Sequence, residues 1–128
     1  VLQGYFLSTY SARKLGMRST GNAGGSHNLI VRPGKRDLVG LAALMGRGLL
    51  VTEVLGQGVN YVTGDYSRGA SGYWVENGEI RHPVQEITIA GNLKDMLRDI
   101  VAVGSDVLVR GSKQVGSILL ERMTIAGA

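Results

Sequence analysis

Cysteine is absent from all 128 residues of the chain. That excludes disulfides and thiolate metal sites, and it fits a reducing compartment. Histidine is nearly absent: His27 and His82 are the only two, and neither has a second histidine three or four residues away. A metallopeptidase helix needs two histidines on one face with a nearby glutamate, and a catalytic zinc typically takes about three protein ligands. No apolar run approaches the ~20 residues that span a bilayer. At the start of the chain no basic segment leads into an apolar one, so no secretory signal is read there and no membrane is expected among its partners.

The usual enzyme signatures are missing as well. Ser8, Ser67 and Ser71 have no G-x-S-x-G setting. Gly34-Lys35 lacks the earlier glycine of a phosphate-binding loop, and Arg36 stands where Ser or Thr belongs. Gly56-Gln57-Gly58 lacks the third glycine of a dinucleotide fingerprint. The stretch Gly21 to Ser26 could still cradle an anion through backbone N–H groups.

What the chain has in excess is glycine, 20 residues, roughly twice the average usage of about 7%. The glycines have no period and lie between β-branched runs. They point to tight turns and close backbone contacts. The net charge is +4, with loose clusters at Arg13, Lys14 and Arg18 and at Arg32, Lys35 and Arg36. Neither is a run, and no RNA-binding aromatic signature accompanies them, so nucleic acid is not an expected partner. The length suits one domain. The opening Val1-Leu2-Gln3, without Met, reads as part of a longer protein.

Local signals give a mixed order. Ser8 or Thr9 caps a short helix through Leu15, ended by Gly16. Thr20 to Ser26 is a loop, His27 to Arg32 a strand, and Pro33-Gly34 a turn. Asp37 caps a helix carrying Leu38, Leu41, Ala42 and Met45, stopped by Gly46. Leu49 to Leu55 is a strand. Asn77-Gly78 makes a two-residue hairpin turn. Val75 then faces Ile80, Trp74 faces Arg81 as a cation–π pair, and Glu76 faces Glu79. Ile87 and Ile89 fall on the Trp74 face, with a bulge or bend near Pro83. Asn92 caps a helix to Val103 whose stripe is Leu93, Met96, Leu97, Ile100 and Val101. Val107 to Val109 and Ser117 to Ile125 are the last strands. The expected class is α+β, a mostly antiparallel sheet with short inserted helices, forming part of a larger domain.

The most informative stretch is Gly56 to Gly91. Small polar residues crowd it beside Tyr61, Tyr66, Tyr73 and Trp74. Such a segment keeps side chains away from a backbone that something must approach closely. Thr63-Gly64-Asp65 also fits a turn in which Asp65 accepts backbone N–H bonds.

Three blocks in order, YSARKLGMRSTGNAGG, GQGVNYVTGDYSRGASGYWVENGEI and EITIAGNLKDML, resemble the carboxy-terminal region of the PmbA/TldD family, nearer its PmbA, or TldE, branch. The resemblance runs from Val1 to Gly127. It implies a part in a bacterial cytoplasmic metallopeptidase system that matures or degrades peptides. The catalytic TldD branch carries a His-Glu-x-x-x-His helix and a later cysteine ligand. Neither is present here, and Gly104 to Gly116 stands in place of the cysteine-bearing loop. By resemblance, this chain holds no cofactor, and zinc belongs to a TldD-like partner. The implied assembly is a heterodimer with that paralogue, or a homodimer, acting on unfolded peptide. Asn60, Thr63, Gly64, Asp65, Ser67 and Arg68 are the candidates for contacting peptide or partner. The alternative is a structural or regulatory interaction module of the DNA gyrase modulator type.

Overall fold

Capping residues and β-branched runs divide the chain into short elements. The computed structural model describes residues 3–23 and 25–127. In chain order the elements are α1 (Thr9–Lys14), β1 (Leu29–Ile30), α2 (Leu38–Met45), β2 (Gly48–Leu55), β3 (Asp65–Glu76), β4 (Glu79–Asn92), α3 (Leu93–Arg98), β5 (Ile100–Val103), β6 (Leu108–Arg110), β7 (Lys113–Val115), β8 (Ile118–Leu120) and β9 (Thr124–Ala126). The class is the expected α+β. The registered pairs are antiparallel, except β1–β7, which is parallel. The residues form two compact units, 1–31 with 108–114 and 32–107 with 115–128.

In the first unit, Ser8 caps α1 through a reciprocal box with Ser11. That arrangement satisfies two N–H groups otherwise orphaned at a helix start. Leu7 and Ala12 are its buried apolar residues. Thr20 ties back to the Leu7 backbone, accepting from Leu7 N–H at 2.8 Å. A small sheet of order β1-β7-β6 completes the unit. The strand expected over His27 to Arg32 is only two residues long. Val1 and Leu2 of the opening segment and Gly24 of the expected anion cradle lie outside the described residues.

The second unit is built on a four-stranded sheet, β2-β3-β4-β9. Asp37 caps α2 by accepting from Gly40 N–H at 2.8 Å, and Gly46 ends it at φ +68°. The Asn77-Gly78 turn joins β3 to β4, and Asn77 takes the positive φ of 53° that its turn type requires. Val75 pairs with Ile80 and Glu76 with Glu79, as expected. Trp74 does not face Arg81 but His82. Arg81 is an extra residue in the strand, and it turns to pair with Glu79 at 3.2 Å, beside the like-charged Glu76. Arg47, not Arg81, lies over the Trp74 ring, 5.5 Å from its centroid.

A second extra residue follows at Gln85-Glu86, between the pairs Gly72–Val84 and Ala70–Ile87. Glu86 absorbs it at φ 55°. Two bulges thus flank Pro83, and the slips cancel, because each inverts the alternation of faces. Ile87 and Ile89 return to the Trp74 face and bury with Ala70. Leu49, Val51, Tyr66, Val84 and Met123 pack against them.

The helix read over Asn92 to Val103 is shorter than its pattern. It ends at Arg98, and Ile100–Val103 is β5, paired with β8. β-Branched Ile100, Val101 and Val103 prefer a pleated surface, and the partner strand supplies one. The apolar stripe is therefore divided, and Leu97 is 71% exposed. Leu97→Ala is expected to change stability by less than about 1 kcal/mol, checked as an unchanged urea midpoint. The expected last strand is also divided: β8 joins β5, while β9 joins β4.

Ser117 closes this end of the unit. Its N–H and hydroxyl both donate to Asp106, at 3.0 and 2.6 Å. The Ser117 hydroxyl holds the Asp106 carboxyl below its ordinary value, against the opposing effect of burial. A cavity of about 490 Å³ lies in the same unit, lined by α2, the inner sheet face, Met96 and the segment from Ser117 to Met123.

Candidate functional site

The structure gathers four of the six candidates into one loop, residues 60–65, that leads into β3. Asn60 shapes its first half: its side-chain oxygen accepts from Val62 N–H at 2.9 Å and Thr63 N–H at 3.2 Å. This is the local turn chemistry to which asparagine is suited. The backbone closes the same turn, with Gly64 N–H donating to the Asn60 carbonyl and Asn60 N–H to the Asp65 carbonyl, both at 2.8 Å. Thr63 donates its hydroxyl to Asp65 at 2.7 Å, and the same hydroxyl accepts from Asp65 N–H.

Asn92 locks the loop from the far end of β4. Its amide donates to the Thr63 carbonyl at 3.0 Å and to Asp65 at 3.4 Å. Its oxygen caps α3 by accepting from Lys94 N–H at 3.1 Å. One side chain therefore fixes both the loop and the start of the helix. Gly64, at φ +82°, lies so close that a Cβ there would meet the Asn92 oxygen at 2.9 Å. The Asn60 side-chain oxygen, the Thr63 hydroxyl and the Asp65 carboxylate thus all take part in bonds that build the loop.

At the tip of this loop Tyr61 and Val62 are 87% and 95% exposed. Both are enclosed by the turn-formers Asn60 and Thr63-Gly64-Asp65.

The other two candidates lie on β3. Ser67 is exposed, and its N–H donates to the Gly58 carbonyl at 2.7 Å. Gly58 runs so close to β3 that a Cβ there would collide with the Ser67 carbonyl. Arg68 shares the inner face with Ala70 and Ile89. Its guanidinium donates to the Gly56 carbonyl and its Nε is buried without a partner. Arg68 thus straps the glycine segment to the sheet.

His82 is exposed and sits against its neighbour's Pro83 carbonyl at 3.3 Å. Among the described residues no three His, Cys, Asp or Glu side chains cluster so as to hold a metal ion. Among these residues the donor set does not fit a catalytic zinc. Among the described residues no helix is long and apolar enough to cross a membrane.

Residues 1–127 match the family described as PmbA/TldA metallopeptidase C-terminal domain. The chain is 60% identical over 128 residues to a Haemophilus influenzae protein named metalloprotease PmbA homolog, covering 99% of this chain and 28% of that protein. It is 58% identical to the Escherichia coli O157:H7 protein named metalloprotease PmbA, again covering 99% and 28%. A crystal structure from Thermotoga maritima, described as a candidate modulator of a DNA gyrase, superposes with a TM-score of 0.89 at 44% identity, covering 98% of this chain and 31% of that one. The chain thus spans under a third of the length of these relatives. With its sequence match end to end and its fold shared, the chain belongs to the PmbA/TldD family of metallopeptidases and corresponds to their C-terminal domain.

Proposed function

We propose that this chain is the C-terminal portion of a PmbA-type, or TldE-type, subunit that works with a metal-bearing TldD-type paralogue in the bacterial cytoplasm. The pair matures or degrades unfolded peptides. The paralogue supplies the zinc, and this chain shapes the cleft. The observation that carries the reading is the 60–65 loop. Its own hydrogen bonds and those from Asn92 brace it, and it leaves Tyr61 and Val62 exposed. A preorganised apolar tip loses little entropy on contact, as suits a surface that receives a peptide or the catalytic partner.

The experiment is peptide cleavage by the reconstituted pair, with Tyr61→Ser and Val62→Ser combined in this subunit. Both residues are exposed, so the fold and the cleavage can be read separately. A second reading, a regulatory module acting on a DNA gyrase, is favoured by the description of the similar Thermotoga structure. It requires no peptide cleavage by the pair.

A further inference from the structure

The two units differ sharply in charge. Residues 1–31 and 108–114 contain five basic residues, Arg13, Lys14, Arg18, Arg110 and Lys113, and no aspartate or glutamate. The other unit holds the remaining nine basic residues and all ten acidic ones. The chain's net positive charge therefore comes wholly from the smaller unit. All five side chains are exposed. The four ion pairs among the described residues all lie in the other unit.

The same unit has a free strand edge. β6 is an outer strand of the β1-β7-β6 sheet, and Leu108 and Val109 on it are exposed. An outer strand leaves a row of N–H and C=O groups for another extended chain. We propose that this edge binds an extended acidic peptide, its backbone pairing with β6, its carboxylates meeting Arg110 and Lys113 on one face and its alternate apolar side chains meeting Val109 on the other. Main-chain bonds supply affinity in such strand addition, and the flanking side chains supply selectivity.

Charge decides the occupant. A second copy of the unit would bring its own Arg110 and Lys113 to the same edge and be repelled. A nucleic acid would satisfy the basic groups but has no strand backbone to pair with β6. An acidic peptide satisfies both. The inference deepens the proposed function by naming a substrate class, and it rests on that reading only in calling the peptide a substrate.

The test is binding without cleavage, on the full-length protein with no metal-bearing partner present. Fluorescein-labelled heptapeptides of alternating glutamate and valine, glutamine and valine, or lysine and valine are titrated by anisotropy, beside a heptameric oligothymidylate. The glutamate peptide is expected to bind at least about tenfold tighter than the glutamine peptide, with the gap closing as salt shortens the Debye length from about 10 Å at 0.1 M to about 3 Å at 1 M. R110E combined with K113E is expected to reverse the preference toward the lysine peptide. R110Q with K113Q, milder at the same exposed positions, is expected to abolish it. Equal binding of the glutamate and glutamine peptides overturns the proposal. So does tighter binding of the oligothymidylate, or an unchanged preference in a folded charge variant. Loss of cleavage by the reconstituted pair would bear on the proposed function and leave this result standing.

Discussion

Gly72→Val is expected to lower stability by more than about 4 kcal/mol, enough to leave much of the protein unfolded given the usual total of about 5–15 kcal/mol. Gly72 lies in the middle of β3, between β2 and β4, opposite Val51 and Val84. A Cβ there would collide with the Leu50 carbonyl and come within 3.0 Å of the Val51 Cα. Both are backbone atoms of a paired strand, so neither can move without opening the ladder. Gly69→Ala, three residues away on the same strand, is the control. Its Cβ would meet Leu55 Cβ at 3.5 Å, an ordinary contact, and its effect is expected to stay within about 1 kcal/mol. Urea denaturation of both variants checks the pair. Similar midpoints for the two would show that β2 and β3 are not as closely apposed as described.

Ile87→Ala is expected to cost about 2–5 kcal/mol, the range for removing a buried aliphatic side chain and leaving a cavity. Ile87 is 4% exposed and packs with Ala70 and Ile89. Ile80→Ala, on the same strand, is expected to cost less than about 1 kcal/mol, because Ile80 is 52% exposed. The faces exchange between the two bulges and return beyond the second, so Ile87 faces inward whether both slips are present or neither. The contrast therefore tests burial along β4, and thermal or urea unfolding of the two variants checks it.

Local chemistry made much of the fold legible. Ser8, Asp37 and Asn92 cap helices as their types suggest, and Asn77-Gly78 turns the hairpin. Where the partner is distant in sequence, the pattern failed. Ile100 pairs with Leu120, and within the stretch only the β-branched Ile100, Val101 and Val103 hint at that strand. Helical spacing and a short helix followed by a strand leave the same apolar positions. A two-residue turn without bulges sets Trp74 opposite Arg81, and one extra residue in β4 sets it opposite His82 instead.

Around the candidate residues the turn was legible in the sequence, and the hydrogen bonds that close it were not. Asn60, Thr63, Gly64 and Asp65 do share one loop, but their polar groups close it internally. The clamp that completes it, Asn92, lies 27 residues beyond Asp65, and the exposed tip is apolar.

The most direct measurement of the central claim is peptide cleavage with defined components: the full-length protein alone, a metal-bearing TldD-type paralogue alone, both together, and both with Tyr61→Ser and Val62→Ser. Cleavage is predicted only for the mixture. The double variant is predicted to lower kcat/KM by about tenfold or more, the scale of losing an aromatic anchor worth roughly 1.4 kcal/mol or above, with circular dichroism and melting temperature unchanged. Cleavage by the full-length protein alone at the mixture's rate, or full cleavage by the folded double variant, would contradict the account.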